Sequence, residues 1–77
     1  MQGSEDPNPK TPLEGRYANY FKVGYNAFEF VLEFGQLYQG EKEARMHTRI
    51  VTSAVYARQF LETLSEALQQ NESEAQR

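Results

Sequence analysis

Between Tyr17 and Thr52 the apolar side chains fall largely on alternate positions; after Ser53 they recur every third or fourth residue. The first spacing belongs to strands with one covered face, the second to a helix carrying an apolar stripe. Tyr17–Val23 reads as a first strand from its aromatic and β-branched content. Gly24-Tyr25-Asn26-Ala27 then supplies turn residues, because Gly and Asn both tolerate positive φ. Phe28, Phe30, Leu32 and Phe34 alternate with Glu29, Val31, Glu33 and Gly35 in the cleanest period-two run of the chain. Gly35, inside an otherwise good strand, predicts a bulge or bend. A polar loop at 39–43 leads to a third strand over 46–52.

Ser53 stands where a helix N-cap belongs, with a hydroxyl able to accept from the first-turn amides. Behind it Ala57, Phe60, Leu61, Leu64, Ala67 and Leu68 form one stripe, while Arg58, Glu62, Glu66 and Gln69 fall largely on the other side. The helix is expected over residues 54–70. The fold class is therefore α+β, a three-stranded antiparallel sheet followed by one C-terminal amphipathic helix packed on it.

Strand registers can be proposed from the same pattern. Pairing Val23 with Phe28 sets Phe21 against Phe30; pairing Glu33 with Arg49 sets Leu32 against Ile50 and Phe30 against Thr52. One face then carries Phe21, Val23, Phe28, Phe30, Leu32, Phe34 and Ile50. The other carries the cross-strand charge pairs Lys22–Glu29 and Glu33–Arg49, with an apolar stripe of Tyr20, Val31 and Val51 between them. Such a unit has a thin core for the number of residues it must order, which favours a homodimer over a lone monomer. The Tyr20, Val31 and Val51 stripe is the candidate interface.

Composition narrows the picture further. The ends are polar, so the expected organisation is a disordered tail at 1–13, a domain at 14–70 and a second disordered tail at 71–77. The chain contains no cysteine, which excludes disulfides and thiol chemistry. It has no apolar run long enough to span a bilayer and no basic-then-apolar leader, so the expected address is cytoplasmic, with no membrane partner. The formal net charge is −3, yet Arg16, Lys22, Lys42, Arg45, Arg49 and Arg58 balance Glu29, Glu33, Glu41, Glu43, Glu62 and Glu66 between residues 16 and 70. A neutral domain lacks the electrostatic footprint of a nucleic-acid binder.

The reactive side chains lack the companions that chemistry needs. His47 is the single histidine and has no companions at metal-ligand or catalytic spacing. Ser53 has no nucleophile elbow around it. Glu29 and Glu33 share one strand face, but Lys22 and Arg49 opposite them make ion pairs the better reading. The glycines match no phosphate-cradling pattern. Tyr17, Tyr20, Tyr25, Tyr38 and Tyr56 suit protein interfaces better than base stacking, because no basic groove surrounds them. No catalytic residue, metal site or cofactor is expected.

Tyr17-Ala18-Asn19, Val23 and Glu29-Phe30-Val31-Leu32-Glu33-Phe34, together with Thr48-Arg49-Ile50-Val51-Thr52-Ser53-Ala54-Val55-Tyr56-Ala57, resemble a small bacterial and archaeal family, domain of unknown function 3467. The resemblance spans nearly the whole ordered region. It implies that Tyr17, Asn19, Glu29, Phe30, Phe34, Arg49, Ile50, Ser53 and Ala57 are family-typical, and it attaches no catalytic role to any of them. Many relatives have Ser-Pro at the helix entry where this chain has Ser53-Ala54, and Pro there is favourable but dispensable. The function read from these observations is a non-enzymatic homodimeric interaction module with an unidentified protein partner. The alternative is a nucleic-acid-associated regulator whose Arg45, Arg49 and Arg58 gather across a dimer. A small enzyme using Glu29, Glu33 and His47 ranks third.

Overall fold

A computed structural model describes residues 12–75 of the chain. Residues 1–11 of the expected N-terminal tail and 76–77 of the expected C-terminal one lie outside the described residues. The elements follow one another as β1 (Tyr20–Tyr25), β2 (Phe30–Gln36), β3 (Arg45–Thr52) and α1 (Ala54–Ala75). They belong to two units, a sheet unit over Leu13–Ala54 and a helical one from Val55.

The sheet is antiparallel in the order β1-β2-β3, the topology the alternation predicts. In the β2–β3 hairpin Glu33 faces Arg49, Leu32 faces Ile50 and Phe30 faces Thr52, as the sequence pattern sets them. The connecting loop turns at Gly40, whose φ of +87° and the Glu41 N–H to Tyr38 C=O bond of 3.0 Å are those of a type II turn. The register then shifts between Phe34, which faces Thr48, and Gly35, which faces Met46. His47 is the extra residue of this bulge.

The first hairpin differs from expectation. Val23 faces Leu32 rather than Phe28, and Phe21 faces Phe34. The turn lies at 26–29 because the Asn26 side chain organises it: its Oδ1 accepts from the amides of Phe28 and Glu29, both at 2.8 Å. Gly24 consequently stays inside β1. The displacement is four residues, an even number, so every β1 side chain keeps its assigned face. Phe28 and Glu29 leave the strand for the turn, and Lys22 faces Glu33 instead of Glu29. Asn26→Ala should lower stability by about 1 kcal/mol, with Asn26→Asp losing less because it keeps the acceptor; chemical denaturation of the three proteins measures both.

The helix runs five residues beyond its expected end, through the Asn71–Ala75 segment assigned above to a tail. No Gly or Pro stops it there, and Glu and Ala are good helix formers. Its last turn has no basic residue to balance the macrodipole. Ser53 immediately precedes Ala54, at the N-cap position.

Candidate interaction surface

Alternation along β2 divides the sheet into two unlike faces. Phe30, Leu32 and Phe34 share one of them with Phe21, Val23 and Tyr25 from β1 and with Thr48, Ile50 and Thr52 from β3. Two aromatic pairs form directly across β1 and β2. Phe21 meets Phe34 edge to face at 5.8 Å and 89°, and Tyr25 stacks on Phe30 at 5.5 Å and 25°. Each pair adds roughly 0.5–1.5 kcal/mol beyond its area. Yet Phe21 and Val23 are 60% and 62% exposed, Tyr25 76% and Ile50 46%. Among the described residues no hydrophobic side chain is buried.

The stripe of α1 is in the same condition: Phe60, Leu61, Leu64 and Leu68 are each exposed. Taken by itself, a three-stranded sheet cannot cover its own apolar face, and taken by itself a helix cannot bury its own stripe. Contiguous apolar patches of this kind mark interaction sites.

The opposite face is mixed. Lys22, Glu33 and Arg49 form a row across the three strands, with Arg49 Nε 2.7 Å from Glu33 Oε2. Val31 and Val51 face each other one row away. Tyr20 does not join them. It faces Gly35, on the far side of the charged row, because the β1 register is displaced; the expected three-residue stripe is reduced to a valine pair. Glu33→Gln should change stability by at most about 1 kcal/mol, and less at high salt, since Arg49 is largely solvated. A variant more stable than the parent in a thermal melt would contradict this and return interest to carboxylate chemistry.

The three candidate basic residues lie on β3 and α1. Arg49 is held by Glu33, while Arg45 pairs with Glu41 at 3.0 Å and lies over the Tyr38 ring at 5.3 Å. Arg58 stands on α1. Glu29 sits in the turn, so it no longer shares a strand face with Glu33.

One end of the sheet carries contacts that sequence reasoning missed. Asn19 pairs with Leu37 through its side-chain amide: Nδ2 donates to the Leu37 carbonyl at 3.1 Å, and Oδ1 accepts from the Leu37 amide at 2.7 Å. This imitates a strand pair one step beyond the end of β2. At the bulge, His47 Nε2 lies 3.0 Å from the Tyr17 carbonyl and Nδ1 2.7 Å from Thr48 Oγ1. A carbonyl only accepts, so Nε2 carries the proton and Nδ1 accepts from the Thr48 hydroxyl in the neutral ring. Arg16 Nη1 donates to the His47 carbonyl at 3.4 Å. Arg16, His47 and Thr48 line an open depression of about 500 Å³ together with Glu14, Ala18 and Phe34. His47 thus ties the lead-in segment to β3. Among the described residues no three His, Asp or Glu side chains converge as a metal site. No helix among them is long and apolar enough to cross a membrane.

The family described as protein of unknown function (DUF3467) matches residues 4–76. The chain belongs to that family. No curated protein and no solved structure gives a significant match. The match covers both stretches on which the resemblance rested, and the geometry gives physical roles to several of the positions that the resemblance singles out. Asn19 extends the β1–β2 pairing, Phe34 and Ile50 build the apolar face, Arg49 holds Glu33, and Ser53 occupies the helix entry.

Proposed function

We propose that this DUF3467 protein is a non-enzymatic homodimeric interaction module of the cytoplasm. A second copy covers the Phe21–Val23–Tyr25–Phe30–Leu32–Phe34–Ile50 face and the α1 stripe, and the mixed face with its Val31–Val51 pair is left for a protein partner. The observation that carries the reading is the absence of any buried hydrophobic side chain among the described residues, beside two apolar surfaces of this extent. Domains this small need oligomerisation or staples when their own core is insufficient, and the chain has no cysteine.

Sedimentation equilibrium should give twice the 8.9 kDa chain mass. The melting temperature should rise with protein concentration, as it does when folding and association are coupled. A monomeric mass with a concentration-independent melt would overturn the homodimer. Capture from native extract, divided into nuclease-treated and untreated halves, tests the adaptor role: a stoichiometric protein surviving nuclease supports it, and recovery of nucleic acid alone opposes it.

A further inference from the structure

The β1 edge has the features of a self-pairing strand. Asn26 N–H donates to the Glu29 carbonyl at 3.0 Å in the same register as β1 and β2. Hydrogen-bonded and non-bonded positions alternate along an antiparallel pair. Gly24, Lys22 and Tyr20 therefore spend their main-chain groups on β2, while Phe21, Val23 and Tyr25 direct theirs away from the sheet. The six-residue edge contains no Pro, no bulge and one charge, Lys22, on the mixed face. Natural sheets protect an exposed edge with such devices, and β1 has almost none. β3, the other edge, has them: a bulge at His47, a His47 carbonyl already engaged by Arg16, and Arg45 and Arg49 along the strand.

Resting on the homodimer reading, we propose that two copies join β1 to β1 antiparallel across a two-fold axis through Val23. The register follows from three constraints. The outward-facing residues of one copy must pair with outward-facing residues of the other. A two-fold axis pairs residue i with j and j with i. Only one register maps Phe21, Val23 and Tyr25 onto themselves as a complete set, with Val23 opposite Val23 of the second copy and Phe21 opposite its Tyr25. A one-step shift of the same parity sets Lys22 against Lys22 in one direction, a like-charge pair that opposes association, and in the other sets Gly24 against Gly24 and leaves Phe21 without a partner on β1. In the favoured register Lys22 meets Gly24. The product is a six-stranded sheet in which the apolar faces of both copies are continuous and each is covered by the α1 stripe of the other copy, the protected β3 strands being the remaining edges.

The natural absence of cysteine makes the test specific, because each variant then carries a single thiol. Val23→Cys places two thiols at the axis with Cα atoms about 5.5 Å apart, inside the disulfide range. Lys22→Cys leaves its two Cα atoms offset by two residues along the strand, about 8 Å apart, and outside it. Both positions are exposed, so the substitutions spare the intrachain fold. After mild oxidation and non-reducing electrophoresis, most of the Val23→Cys protein should migrate as a covalent dimer and Lys22→Cys should remain at background. A dimeric mass in which Lys22→Cys cross-links instead, or neither variant does, overturns the β1 pairing while the homodimer stands. A monomeric mass for the unmodified chain overturns both.

Discussion

Replacing Leu32 with aspartate is expected to abolish assembly and with it most of the folded population, whereas Val31→Lys, one residue earlier, should leave both nearly intact. Leu32 is central on β2, between Val23 and Ile50, on the face assigned to the second copy. A carboxylate there has no cationic neighbour across the strands, and an uncompensated buried charge costs about 3–5 kcal/mol. At the lower figure the dimer dissociation constant already rises more than a hundredfold. Val31 points the other way. Its flanking row of Lys22, Glu33 and Arg49 is already charged, so an added lysine stays solvated there and changes stability by no more than about 1 kcal/mol. Sedimentation and thermal melts of the two variants separate the faces. Loss of mass in Val31→Lys with Leu32→Asp unaffected would transfer the interface to the valine pair.

The aspartate variant also carries its own pH dependence. Burial raises the folded-state pKa of the introduced carboxyl above its unfolded value. The folded dimer is then favoured where the group is neutral, below the unfolded carboxylate pKa, and this stability is lost as pH rises through the folded one. Leu32→Asp should therefore recover mass on acidification. Leu32→Asn, polar but unable to ionise, should show a smaller loss with no such recovery.

How legible these faces are in the sequence depends on parity and on side-chain bonds. The β2–β3 register was readable because Glu33 and Arg49 are complementary and the apolar residues on both strands keep period two. The β1–β2 register was not, since Gly24 looks like the turn residue while the turn is made by two bonds from the Asn26 side chain. That misplacement kept the apolar face of β1, because four is even, but it separated Tyr20 from Val31 and Val51. The Asn19–Leu37 and His47–Tyr17 contacts join residues 18 and 30 positions apart, which no local pattern encodes. The helix end was hidden for another reason: the apolar stripe stops near Leu68, and a polar helical extension looks like a polar tail.

Gly35→Ala is the second large effect expected, and it acts within the chain rather than between copies. Gly35 is the one buried position among the described residues, where the β2–β3 ladder shifts register. Its φ is not positive, so conformational freedom does not explain the glycine; space does. An added methyl would lie 2.6 Å from Met46 Sδ, 2.7 Å from the Arg45 carbonyl oxygen and 3.0 Å from Met46 Cα. The thioether can swing aside at little cost. The carbonyl and the Cα cannot retreat without opening the ladder beside the bulge. Overpacking of this sort costs about 1–3 kcal/mol, and the two backbone contacts place Gly35→Ala toward the upper figure. Removing the sulfur as well should restore only the smaller share, so Gly35→Ala with Met46→Ala should remain well below Met46→Ala alone in chemical denaturation. Full rescue by the double substitution would mean that the methionine, not the β3 backbone, demands glycine at this position. The bulge would then tolerate a side chain at 35, and the close approach of β3 to β2 would not be what excludes one.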